Sequence, residues 1–181
     1  DKLGGIAWQA RKAEARERIR EIAKKLIKIA AQRKTKQVPP VLAPEGLYEE
    51  FCARFRYAET DDQLRAIEET LEDLSAGRPM DRLICGDVGF GKTEVALRAA
   101  FATALDGKQV AVVVPTTLLA RQHSKTFADR FRGFPVNVAQ ASRLIPTKEL
   151  NQVKKDLAEG GVDIVVGTHA LLGKAIKFRD L

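Results

Sequence analysis

Apolar side chains return at every seventh position through the first part of the chain: Trp8, Ala15, Ile22 and Ile29, with Ile19, Leu26 and Ala30 filling the stripe. From about Trp8 to Gln32 there is neither Gly nor Pro, and Glu14–Arg18 and Glu21–Lys25 stand at the four-residue spacing that supports a helix. The pattern predicts a long amphipathic helix. Three roles suit it: a connecting helix that packs against another domain, a basic arm that meets phosphates, or a solvated basic face over a local core. Thr35 to Gly46 breaks the pattern with Pro39, Pro40, Pro44 and Gly46, which predicts a linker and a domain boundary. The organisation expected is therefore a connecting helix over 1–37, a linker over 38–47 and an α/β lobe over 48–181.

Past the boundary the period changes. Tyr48 to Phe55 predicts a short helix, and Thr60 is a good N-cap for a helix running to about Leu74. Leu83-Ile84-Cys85 predicts a short strand. Gln109 to Val114, Val136 to Ala141 and Val162 to Gly167 are further strands, almost wholly apolar. Helices separate them: one after Gly91, one from Thr116 to Arg132, and one from Thr147 to Glu159 with a Gly160-Gly161 stop. Strands apolar on both faces and spaced by helices predict a parallel sheet covered on both sides.

Between the first of these strands and its helix lies Gly86-Asp87-Val88-Gly89-Phe90-Gly91-Lys92-Thr93-Glu94. Gly86, Gly91, Lys92 and Thr93 fit the phosphate-binding loop pattern G-x-x-x-x-G-K-[ST] without a mismatch. Glycines let the backbone wrap around phosphate and aim successive N–H groups at it. Lys92 would place a point charge on the β- and γ-phosphates, the Thr93 hydroxyl would be a Mg²⁺ ligand, and the helix would offer its positive end. Gly86 to Glu94 is thus the expected nucleotide cradle, with Lys92 and Thr93 in the catalytic roles and ATP with Mg²⁺ as cofactors.

Charge changes the picture only locally. The net charge is +7, but the residues up to Gln37 carry 12 Lys and Arg against 4 Asp and Glu, a balance of +8. The remainder is near neutral, so the basic balance belongs to the N-terminal arm and does not mark the lobe as a nucleic-acid binder. No apolar run approaches the ~18 residues of a membrane span, and Asp1-Lys2-Leu3-Gly4 does not open a signal peptide. Cys52 and Cys85 lack metal-ligand spacing; two free, buried thiols, Cys85 in the central strand, suit a reducing cytoplasm.

Other phosphate-loop proteins are disfavoured. Asn151 to Asp156 has the wrong spacing for a guanine-recognition motif and falls inside a helix, and no arginine-rich lid stands out. Phosphate-loop ATPases also need an Asp at another strand end for the Mg²⁺ shell, often beside a Glu that orients water. The strands here end in Val114-Pro115, Ala141-Ser142 and Val166-Gly167. Either nucleotide is bound without hydrolysis, as in a switch or scaffold module, or the chain stops before the motif. The expectation favours truncation.

MDRLICGDVGFGKTEVALRAAF, VAVVVPTTLLARQH and DIVVGTHALL resemble motifs I, Ia and Ib of the superfamily 2 helicases. The resemblance is greatest to bacterial transcription-repair coupling factors, with branch-migration helicases second; Phe90 and the N-terminal arm favour the former. It implies a RecA-like lobe preceded by a connecting helix, in a double-stranded DNA translocase that displaces stalled RNA polymerase. The polymerase and excision-repair proteins would be met through domains outside this chain, and the Asp-Glu-Glu-His box and second lobe would also lie beyond it. By this resemblance Gln63 reads adenine, since one amide both donates and accepts, and Phe55 or Tyr57 stacks on the base; a solvated helix position is the plain alternative for Gln63. Pro115, Thr116 and Thr117 at one strand end and Gly167, Thr168 and His169 at another would grip one DNA strand by its backbone. The two threonines serve equally as helix caps, and His169 as an ordinary loop residue. Gln122 and Arg143 belong either to the same DNA surface or to the plain exterior. Without its partner, the arm helix would pack on another copy of itself.

Overall fold

A computed structural model of the protein describes residues 5–181, apart from the side chain of Ile6. The chain opens with helix α1 (Ile6–Thr35). Of its described side chains none is buried; Ile19, Ile22, Leu26 and Ile27 are each more than half exposed. The reading of a basic face over a local core is therefore overturned: the apolar stripe meets no core. An ion pair between Arg33 and Asp81 joins the C-terminal end of α1 to the lobe. The linker then follows the end of the next long helix, where Val38 N–H donates to Gly77 O at 3.0 Å and Val41 N–H to Leu74 O at 3.0 Å.

The lobe proceeds through α2 (Leu47–Ala53), α3 (Asp61–Ser75), α4 (Lys92–Leu105), β1 (Val110–Val113), α5 (Thr117–Arg130), β2 (Val138–Ala141), α6 (Thr147–Glu159) and β3 (Ile164–Gly167), and a 3₁₀ turn spans His169–Leu172. The strands form a parallel sheet in the order β1-β3-β2. All of β3 is buried, as its continuous apolar run requires. Alternation along β3 divides the core: Ile164 and Val166 join Leu97 and Phe101 of α4 and Phe127 of α5 on one face, while Val165 joins Val153 and Leu157 of α6 on the other. Phe51 of α2 stacks on Phe101 with ring centroids 4.2 Å apart. Helices thus cover both faces, in agreement with the pattern in the sequence.

Gln109, buried just before β1, closes the far end of the lobe. Its Nε2 donates to Leu157 O and Val162 O at 2.9 and 2.8 Å, and its Oε1 accepts from Arg179 N–H and Asp180 N–H at 2.7 and 3.0 Å. One amide so ties α6, the approach to β3 and the last residues together, with its bonding capacity filled.

The strand expected at Leu83-Ile84-Cys85 is not formed. Its Leu83 is 83% exposed and Cys85 is exposed rather than buried. The reason lies in partnership: a strand needs a ladder, and Arg82 instead pins this segment to α3 through Asp73 and Glu69. Cys52 is half-buried, and burial pushes its thiol pKa up. Among the described residues no helix is long and apolar enough to cross a membrane.

Candidate nucleotide cleft and strand-end surface

Local chemistry places the first component. Thr60 caps α3, its hydroxyl accepting from Gln63 N–H at 3.3 Å while Gln63 Oε1 accepts from Thr60 N–H at 2.9 Å. This reciprocal box fixes which end of the Gln63 amide faces which way. The free end, Nε2, donates to Phe90 O at 3.0 Å and so ties the start of α3 to the glycine loop.

The loop itself ends at Gly91, whose φ of +70° is left-handed and whose missing Cβ leaves space taken by the Gln63 amide. Any other residue there would be strained twice. Lys92 opens α4 and turns back over the loop, its Nζ donating to Gly86 O and Asp87 O at 2.6 Å each. An ammonium held over a glycine-rich turn at a helix N-terminus is a donor set suited to phosphate, and Thr93 offers its hydroxyl on the first turn.

The capped start of α3 and the glycine loop border a cleft of about 870 Å³; Lys92, turned back onto Gly86 O and Asp87 O, is not part of its lining. Phe55, Gln63, Val88, Gly89, Phe90, Gly91, Thr93 and Glu94 all line it, so the structure brings most of the expected nucleotide set together. Gly86 and Asp87 take part through the carbonyls that hold Lys92. Tyr57 stands edge-on to Phe55, ring centroids 5.6 Å apart. Glu94 has a different setting from the rest. It is buried, and its Oε1 accepts from Arg98 Nε at 3.0 Å and Arg130 Nη2 at 2.8 Å. Arg98 also pairs with Glu59, which holds the Glu59 carboxyl below the usual range. Burial opposes the charge on Arg98, but its hydrogen bonds to Glu59 and Glu94 outweigh that and raise its pKa.

Reading the sequence missed the α5 wall of this cleft: Thr126, Asp129 and Arg130. Arg98 carries a faint signal, four residues after Glu94 on one helix face. Arg130 carries none, because its partner lies 36 positions earlier.

The proposed DNA-contacting residues sort by the sheet register. Val113 and Ala141 both pair with Gly167, so the loops that follow them emerge side by side at the carboxyl edge. Pro115, Thr116 and Thr117 therefore neighbour Thr168 and His169, with Arg143 exposed beyond β2. Gly167 permits the approach, since a Cβ there would meet Ala141 O. Thr116 caps α5, accepting from Leu119 N–H at 3.2 Å; Thr168 makes no side-chain cap bond. Gln122 stands apart, more than a turn along α5 and exposed.

A parallel sheet, a glycine loop feeding α4 and a row of loops at the strand ends define a RecA-like phosphate-loop lobe. Residues 60–181 match the family model of the DEAD/DEAH box helicases, and the chain belongs to that family. Over its whole length it is 51% identical, across 185 residues, to the transcription-repair-coupling factor of Rickettsia prowazekii, covering 16% of that protein. The Bacillus subtilis transcription-repair-coupling factor is 48% identical over 180 residues, covering 99% of this chain and 15% of that protein. The chain thus spans about a sixth of the length of these curated relatives. Among solved structures, RecG bound to a three-way DNA junction superposes with a TM-score of 0.79 at 36% identity, covering 85% of this chain and 21% of that one.

Proposed function

We propose that this chain is part of the first motor lobe, with its connecting helix, of an ATP-dependent double-stranded DNA translocase of transcription-coupled repair. One observation carries the reading: Phe55, Gln63, the loop glycines Gly89 and Gly91, and Thr93 line one cleft, with Lys92 between two of its lining residues, and the strand-end loops form a row on the same lobe. Identity to transcription-repair-coupling factors over the whole chain, arm included, supports the same assignment.

In this reading Lys92 exchanges its two loop carbonyls for phosphate oxygens, Thr93 holds Mg²⁺, Phe55 stacks on the base and Gln63 reads it. Mg²⁺ supplies charge neutralisation on the phosphates when bound. Pro115 to Thr117 and Gly167 to His169 hold the DNA backbone without reading bases. RNA polymerase and excision-repair proteins are engaged by parts of the intact protein outside this chain, and the motor's stroke displaces a stalled polymerase.

None of the three strand ends carries the Asp-Glu pair that polarises water, so the chain alone binds nucleotide without turning it over. Binding of ATP with Mg²⁺, measured by calorimetry and lost in Lys92→Ala, is the expected result; no binding by the unchanged chain overturns the reading. Full DNA-stimulated hydrolysis by this chain, abolished in Lys92→Ala, would refute its inactivity. Similarity to RecG bound to a three-way junction favours a second reading, a branch-migration lobe. Preference for a three-way junction over a linear duplex of equal length would select it. The exposed stripe of α1 supports self-association of the isolated chain, which sedimentation velocity checks.

A further inference from the structure

We propose that Glu94, Arg98 and Arg130 are positioning residues that hold Phe55 as the base-stacking platform, so that preference for a nucleoside over bare phosphate depends on a buried ion-pair hub. The inference rests on the nucleotide reading of the cleft and deepens it.

The geometry is specific. Glu94 and Arg98 are each about 5% exposed. One oxygen of Glu94 receives both Arg98 from its own helix and Arg130 from α5. Arg130 is fixed a second time, its Nη1 donating to Phe51 O at 2.8 Å with the guanidinium 4.1 Å from the Phe51 ring centroid. Held in this way, the guanidinium carbons of Arg98 and Arg130 lie 5.8 and 5.9 Å from the centroid of Phe55. Both distances are within the range where a cation is attracted to an aromatic face.

Stability alone is a poor explanation for this hub. Buried ion pairs are often no better for a fold than apolar side chains of similar volume. What the hub does supply is a single setting for an aromatic ring that borders the cleft and is only half-buried. A ring already ordered when the ligand arrives lowers the cost of binding. Glu94 thus acts on the nucleotide through the two arginines and Phe55, while phosphate is left to Lys92 and the loop.

The test compares ATP, CTP and inorganic tripolyphosphate, each with Mg²⁺, on the full chain by calorimetry. Glu94→Gln keeps the shape of the hub and removes its charge; Arg130→Met keeps an unbranched side chain of similar reach and removes the guanidinium that lies over Phe51. Both are expected to lower the ratio of ATP affinity to tripolyphosphate affinity about 3- to 10-fold. Phe55→Leu should do the same, and adding Glu94→Gln to it should cost nothing more. Thermal unfolding verifies that each variant is folded, and Glu94→Gln decides the matter if Arg130→Met is not. Equal losses for ATP and tripolyphosphate, or additive losses in the double variant, overturn the proposal. If the unchanged chain binds tripolyphosphate as well as ATP, the platform fails while the phosphate cradle stands. If it binds neither, the nucleotide reading fails with it.

Discussion

Gln63 Nε2 donates to the carbonyl oxygen of Phe90 at 3.0 Å, joining a helix cap to a glycine loop 27 residues further on. The same side chain closes the capping box with Thr60 through its Oε1. Gln63→Glu separates these two duties. Glutamate preserves the box, since it is a favoured residue there, but it turns a carboxylate oxygen toward the Phe90 carbonyl. Helix α3 should keep its stability by circular dichroism, while affinity for ATP falls on the order of tenfold through loss of the loop tie. A loss of thermal stability as large as that of Gln63→Ala, with affinity intact, would show that only the cap matters.

Gly91 should be the least replaceable glycine of the loop. Its φ of +70° costs an L-residue roughly 1–2 kcal/mol, and a Cβ would also press on the Gln63 amide. Gly107 provides the control: its φ is +82° but a Cβ there meets nothing within 4 Å. Gly91→Ala is expected to lower the urea midpoint more than Gly107→Ala, and to abolish nucleotide binding, which Gly107→Ala leaves alone.

Glu59 predicts an acid dependence. Its hydrogen bond from Arg98 depresses its folded pKa below the ordinary 4.5. A depressed carboxyl stabilises the fold above the ordinary value, and that contribution is lost as pH falls through the lower, folded pKa. Urea unfolding followed from neutral pH to below 4.5 should show a fall in stability that Glu59→Gln makes shallower. Parallel curves for the two proteins would mean that the Arg98 pair contributes nothing in solution.

The strand-end row should bind DNA by charge and without regard to sequence. Arg143→Ala is expected to reduce the slope of log affinity against log salt by about 0.9, the share of one phosphate contact. Two duplexes of equal length and different sequence should bind alike. Gln122→Ala should change neither quantity, because Gln122 stands along α5 and away from the row. Strong discrimination between the duplexes would count against a backbone grip.

Much of this protein is legible in its sequence because much of it is local. The cap at Thr60, the helices over 61–75 and 147–159, and the Gly160 stop each depend on residues within one or two turns. The turn from Gly91 into α4 is legible for the same reason, since Gly86 to Thr93 is a continuous run whose glycines set the backbone. Apolar runs likewise announced the three paired strands and the covered sheet.

Only the tertiary structure decided what those runs met. Leu83-Ile84-Cys85 has the composition of a strand, yet Arg82 holds the segment to α3 and no ladder forms. The stripe on α1 is real in the sequence, but its exposure shows that the lobe does not bury it. Glu94 sits inside the motif, and only the packing of α4 on α5 buries it against Arg98 and Arg130. Periodicity records which face of an element is apolar; it does not record which distant residue will stand opposite. That choice is made when helices from remote parts of the chain pack on one sheet, and here it placed two arginines beside Phe55.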